Sequence, residues 1–150
     1  MQKWWAIAWR PLIVAIGGLI GFLWLQYSSS QQLIIANHYY DVSIMRSDAE
    51  REKGLSGTEN LPTDDAMLFV FPLDGKWGFW MKDMNYPIDI VWLNSDRQVV
   101  YVVKAAQPSS YPDTIFKPGK NSRYVIELAS GTIERTGINI GDKATLPSGL

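Results

Sequence analysis

Few side chains in this sequence could do chemistry, and the most suggestive are carboxylates and tryptophans set among apolar residues. Asp89 lies in P-I-D-I-V-W-L and Glu127 in V-I-E-L-A, where strand alternation groups Asp89 with Val91 and Leu93, and Glu127 with Arg123 and Val125. Two partly buried carboxyls with pKa values pushed apart could act as acid and base in glycoside or amide hydrolysis. Lys82 and Arg51 are their natural partners. A hairpin of Trp77 to Lys82 with Ile88 to Leu93 would bring Lys82 near Asp89, since the connecting loop is short. Trp77 and Trp80 offer flat surfaces on which a sugar or other amphipathic ligand could stack. With Asp83 in the loop that follows, the candidate ligand-binding set is Trp80, Lys82, Asp83, Asp89, Glu127 and Arg51. A structural account competes with this one and outweighs it: the charges would be ion pairs or loop anchors. Alternation also puts Trp77, Phe79 and Met81 on one face and Gly78, Trp80 and Lys82 on the other, so at least one tryptophan belongs to the core.

Composition removes most other chemistries. The chain has 150 residues, no cysteine and one histidine, so thiolate nucleophiles, disulfides, iron-sulfur clusters and cysteine-ligated zinc are excluded. His38 would be the only imidazole base, and no G-x-S-x-G elbow surrounds any serine. Asp64, Asp65 and Asp74 lack the alternating acids and distal glutamate of a calcium loop, and read as solvated turn residues. No metal site and no cofactor is expected.

The elements that must position the candidates are mostly short strands. Leu33 to Ala36 and Tyr39 to Met45 form a hairpin around Asn37-His38, with Tyr40, Val42 and Ile44 on one face. S-D-A-E from Ser47 to Glu50 is a capping box that starts a short helix, and Gly54 ends it. Met67 to Phe71, Trp77 to Lys82, Ile88 to Leu93 and Gln98 to Lys104 are strands, the last two joined by Asn94-Ser95-Asp96-Arg97. Arg123 to Leu128 follows as a strand, then a helical turn from Gly131 to Arg135 ended by Gly137, and a closing strand from Lys143 to Leu146. Gln107 to Ser122, with Pro108, Pro112, Pro118 and Gly119, is a long loop. It is either a ligand site, where Lys117 and Lys120 could meet an anion and Tyr111 and Phe116 clamp the loop, or a crossover capping one end of the fold. The expected class is mainly β (α+β): one compact β-barrel or sandwich-like domain with one or two short helices.

Six ordered pieces, E-R-E-K-G-L (Glu50 to Leu55), M-L-F-V-F (Met67 to Phe71), F-W-M-K-D-M (Phe79 to Met84), P-I-D-I (Pro87 to Ile90), V-I-E-L-A-S-G (Val125 to Gly131) and G-I-N-I-G-D (Gly137 to Asp142), resemble the family known as domain of unknown function 192. The likeness runs from about Tyr39 to Leu146. It implies a small β-rich domain, often behind an export signal or anchor, and no established activity, substrate or cofactor. The sequence departs from the family pattern at Ser43, where an acid is frequent, at Ser56 and Thr58, where Met and Arg are frequent, and at Asp83-Met84, which replaces Asn-Thr. These departures remove an acid and a base from that region.

Ahead of the domain lies a different kind of segment. Pro11 to Leu25 carries no charge, and from Trp4 the apolar run is broken only by Arg10, giving about 33 Å of helix. Residues 4–25 would thus span a membrane. Lys3 and Arg10 precede the span and no basic residue follows until Arg46, which places the N-terminus in the cytoplasm and the C-terminal domain outside. Trp4, Trp5, Trp9, Trp24 and Tyr27 suit the two interfaces. The division is therefore 1–27 anchor, 28–32 linker and 33–150 domain. A signal peptide cut near Ser28-Ser29-Ser30 is the rival reading and would make the product secreted or periplasmic. Gly17 and Gly21 could pack two such helices into a weak homodimer.

Without Lys3 and Arg10 the remainder holds 12 basic and 15 acidic residues, a net −3, with no basic cluster for nucleic acid. The functional expectation is a membrane-tethered extracytoplasmic module that binds, without covalent chemistry, a cell-envelope polymer or small polar ligand. The alternatives are an envelope hydrolase using Asp89 and Glu127, and a structural partner of another membrane protein.

Overall fold

A computed structural model describes residues 31–150. The proposed anchor, the first residues of the linker and the Gly17/Gly21 packing motif lie outside the described residues. Among the described residues, no helix is long and apolar enough to cross a membrane.

Strands β1 (Gln32–Ile35) and β2 (His38–Met45) form an antiparallel hairpin. Its turn is Ala36-Asn37, both with positive φ (49° and 63°), the two-residue geometry that matches strand twist. The turn sits one residue earlier than the sequence suggested, and His38 instead starts β2. Helix α1 (Asp48–Lys53) then carries the chain across to β3 (Asp65–Gly75), which runs parallel to β2. Strands β4 (Ile88–Leu93) and β5 (Val99–Ala106) form the hairpin expected around Asn94 to Arg97. A 3-10 turn at Pro108–Ser110 follows, then β6 (Ser122–Ala129) and helix α2 (Thr132–Thr136).

The sheet order is β1-β2-β3-β6-β4-β5. Strand β6 enters last and wedges antiparallel between β3 and β4. All six residues of β4 are buried, as a central strand covered on both faces requires, and this explains why I-D-I-V-W-L does not alternate in polarity.

Two apolar layers cover the sheet. One face packs Leu33, Leu68, Val91, Ile126 and Leu128 against Ile133 of α2 and against Ile138, Ala144 and Leu146. The opposite face packs Phe69, Phe71, Ile90, Trp92 and Val125 against Leu55, Phe79 and Met81.

The barrel or sandwich expectation is corrected: the six strands make a single open sheet. The C-terminal stretch bridges β1 at Ile34–Thr145 and the start of the β5 region at Gln98–Lys143, so it ties the two edges together at single points where a closing strand was expected over Lys143 to Leu146. Trp77 to Lys82 also fails to form a strand. Both sides of β4 are already paired, to β6 and β5, which leaves no slot for the hairpin with Ile88 to Leu93. The segment lies over the sheet, fixed by the reciprocal backbone bonds of Phe79 with Phe116 (2.9 and 2.8 Å). Phe116 thus clamps the long loop as expected, while Tyr111 remains exposed.

Candidate functional site

Register decides where the two carboxylates go. Ile90 stands opposite Glu127 and Asp89 opposite Leu128, so Asp89 and Glu127 project from opposite faces of the sheet. Asp89 belongs to the α2 face, sealed from solvent. Its Oδ1 accepts the Ala105 amide (2.8 Å) and its Oδ2 the Ile133 amide in the first turn of α2 (2.7 Å). Ala105 has φ +47° beside an irregularity in the β4–β5 pairing, so Asp89 pins a distorted strand end and the start of a helix at once. The expected proximity to Lys82 does not arise, because Lys82 belongs to the covering segment on the other face.

Glu127 faces the aromatic layer. It is 5% exposed, and its Oε2 is buried without a hydrogen-bond partner among the described residues. Its neighbours across the strands are Met67 and Ile90, neither of which can donate. Burial pushes its carboxyl up to about 8, so it holds a proton at neutral pH.

Above Glu127 is a cavity of about 380 Å³ with walls from three parts of the chain. Strand β3 contributes Phe69 and Phe71, the covering segment Trp77, Phe79 and Trp80, and α1 the charged rim of Asp48, Arg51, Glu52 and Lys53. The capping box fixes the rim: the amide and hydroxyl of Ser47 donate to Glu50 Oε2 (2.8 and 2.9 Å), while the Glu50 amide donates to Ser47 Oγ (3.3 Å). Those bonds hold the Glu50 carboxyl below its ordinary range. Gly54, with φ +45°, ends the helix close to Phe69.

Arg51 is a brace. Its guanidinium donates to the Val70 carbonyl of β3 (2.9 Å), to the Arg46 carbonyl and to the Asp48 carboxylate, and lies 5.1 Å from the centroid of Phe71. The opposite side of the aromatic wall is held by ring packing. Phe71 stacks on Trp77 with centroids 4.2 Å apart, and Phe79 meets Phe69 and Trp92 edge-on at 4.8 and 5.7 Å. The Trp92 indole donates to the Trp77 carbonyl (2.9 Å). Trp80 is 43% exposed.

A second cavity of about 310 Å³ shares Glu52, Lys53, Ser56 and Trp80 with the first and adds Lys82 and Asp83. The residues that depart from the family pattern close the seam beneath it. Ser56 Oγ donates to the Lys82 carbonyl (2.9 Å), the Gly57 amide to the Asp83 carbonyl (2.8 Å), and Thr58 Oγ1 bonds the Tyr86 hydroxyl (2.6 Å).

Of the candidates read from the sequence, Arg51, Trp80 and Glu127 thus meet at one cavity, and Lys82 and Asp83 join it through the adjoining one. Asp89 stands apart. Sequence reasoning missed Phe69, Phe71 and Phe79 as cavity walls. Their spacing signals only a buried strand face, although the expected separation of Trp77, Phe79 and Met81 from Gly78, Trp80 and Lys82 holds without the strand, with Phe79 and Met81 buried, Trp77 partly buried and Trp80 exposed. Among the described residues no group of three or more His, Cys, Asp or Glu side chains gathers as a metal site would require.

Residues 31–146 match the family DUF192 (Uncharacterized ACR), and the chain belongs to it. It is 32% identical over 95 residues to a UPF0127 protein of Thermococcus gammatolerans, covering 62% of this chain and 58% of that one. With a UPF0127 protein of Pyrococcus furiosus it shares 27% identity over 82 residues, 51% of this chain and 64% of that one. The match therefore spans about three fifths of those relatives' length. A crystal structure of a protein of unknown function from Novosphingobium aromaticivorans superposes with a TM-score of 0.71 at 27% identity, covering 76% of this chain and 83% of that one. A structure from Sinorhizobium meliloti, provisionally called a transcription regulator, gives a TM-score of 0.72 at 30% identity, with coverage of 79% and 92%.

Proposed function

We propose that this DUF192 domain is a non-catalytic binding module of the cell envelope, tethered by residues 4–25, exposed on the outer side, and taking its ligand in the aromatic cavity over Glu127. One observation carries the reading. The cavity is lined by Glu127, whose Oε2 is buried and finds no hydrogen-bond partner among the described residues, beneath aromatic walls. Apolar walls with a few convergent polar groups are the usual make-up of small-molecule sites, and about 380 Å³ lies within their size range.

Other features support binding over turnover. A two-carboxylate hydrolase needs both acids at one cleft, and the sheet lies between Asp89 and Glu127. No cysteine is present and the one imidazole, His38, belongs to the start of β2, bonded through Nδ1 to the Ala36 carbonyl. A nucleic-acid role, suggested by the name of the Sinorhizobium relative, draws no support from a domain with 12 basic and 15 acidic residues.

The test is a thermal-shift screen of the full-length protein in mild detergent against sugars, cell-wall fragments, peptides and amines. Ligands raise apparent stability by mass action, about 2.7 kcal/mol at a hundred times Kd. Stabilisation that Trp80→Ala abolishes is the expected result. The cavity reading fails if no compound shifts the melting temperature, or if hits shift Trp80→Ala equally. For the setting, a reporter enzyme fused after Leu150 should be active only outside the cytoplasmic membrane.

A further inference from the structure

The charges around the cavity point to the chemistry of its occupant. The rim carries two acids, Asp48 and Glu52, and two bases, Arg51 and Lys53, so it is balanced. Arg51 is committed to Asp48 and to two backbone carbonyls. The remaining charge-bearing group is Glu127, and the strands packed against it present Met67, Phe69 and Ile90, which do not titrate. Glu127 forms none of the salt bridges among the described residues. A buried carboxyl left without a partner is costly, and a ligand that supplies a donor or a counter-charge recovers part of that cost on binding.

The walls favour one kind of partner. Ring faces attract cations, most strongly those of tryptophan, and cages of aromatic side chains with an acid are a general solution for organic ammonium groups. Here the wall already holds a guanidinium over Phe71, and Trp80 lines the cavity half-exposed, outside the Phe71–Trp77 stack.

We infer that the cavity is a site for a small organic ammonium ion, its cationic head against the tryptophan and phenylalanine rings and Glu127 its counter-charge. This rests on the binding reading above and names the ligand class for the same site. Charge balance gives the inference a second readout. In the empty cavity Glu127 is protonated at neutral pH; the arriving cation restores the carboxylate, and the proton leaves to solvent. Up to one proton is therefore released per ligand at pH values between the carboxyl's pKa beside the cation and about 8, and none well above that.

The experiment is isothermal titration of full-length protein with choline and with its uncharged isostere 3,3-dimethylbutan-1-ol at pH 6, 7 and 9, each in two buffers of different ionisation enthalpy. Choline should bind wild type more tightly as pH rises toward 8, by at most about tenfold per pH unit and with proton release, and then level off. The alcohol should bind at least tenfold more weakly. Glu127→Gln should lose both the choline preference and the pH dependence, and Trp80→Ala, at an exposed position, should weaken choline with the proton release intact. If the alcohol binds as well as choline or better, the ammonium inference is overturned while the cavity reading stands. If neither binds, the inference is overturned, and an empty thermal screen then overturns the cavity reading as well.

Discussion

Replacing Glu127 with glutamine should make the protein more stable at alkaline pH than wild type and change how stability depends on pH. Folding moves the carboxyl from its ordinary 4.5 to about 8 through burial alone. Between those values the folded protein keeps a proton that the unfolded chain has released, so rising pH favours unfolding. The stabilising contribution is fully present below pH 4.5 and is lost as pH climbs through about 8. Within that window each step of one in pH removes roughly 1.4 kcal/mol, so the loss is roughly 3 kcal/mol by pH 7 and roughly 5 kcal/mol above pH 8. Glutamine keeps the shape and cannot ionise. Urea unfolding of both proteins at half-unit steps from pH 4.5 to 9.5 isolates this one group, because the other titrations, including the oppositely acting Glu50 with its lowered pKa, cancel in the difference. Wild type should lose roughly 1.4 kcal/mol per pH unit relative to the variant, levelling off near pH 8. Parallel curves across that range would show that Glu127 ionises freely in the folded state and would refute the account of its burial.

Asp89→Ala should strand the amides of Ala105 and Ile133 and cost roughly 3 to 6 kcal/mol, at the usual range for two charge-assisted bonds; a loss below about 1 kcal/mol in urea unfolding would show that other acceptors replace it. Ser47→Ala removes the hydroxyl that closes the capping box and should lower stability by about 1 kcal/mol, with faster amide exchange confined to α1. Gly54→Ala forces a side chain into φ +45° and a Cβ to 3.3 Å from Phe69 Cζ, so a loss of about 1 to 3 kcal/mol is expected in thermal unfolding. Trp80→Ala, by contrast, should leave thermal stability within about 0.5 kcal/mol while abolishing ligand-induced stabilisation.

Local features of this domain were legible because they depend on neighbouring residues. Ser47 and Glu50 satisfy each other three positions apart, and Gly54 and Gly137 end their helices with positive φ. The same holds for the β4–β5 hairpin and for the alternation that sets Trp77, Phe79 and Met81 apart from Trp80 and Lys82. Where an element competes with distant partners, the reading failed. Trp77 to Lys82 has the composition of a strand, yet β6, more than forty residues later in the sequence, takes the place beside β4 that the hairpin would have used.

The candidate site divides in the same way. Sequence alone marked Asp89 and Glu127 as unusual, since a carboxyl in an apolar strand stands out against a period of two, offered Lys82 and Arg51 as their partners and Trp77 and Trp80 as stacking surfaces, and established a mainly β domain. That period fixes the face of a residue only within its own strand. Whether two residues on different strands share a face depends on register, and a slip of one position reverses the answer. Register here comes from long-range packing, with β6 inserted between β3 and β4 so that Ile90, not Asp89, meets Glu127. The tertiary structure therefore made Asp89 an anchor for α2 and set Glu127 beneath aromatic rings with no partner among the described residues, because backbone ladders between distant segments, and no local preference, set which side of the sheet each carboxyl must occupy.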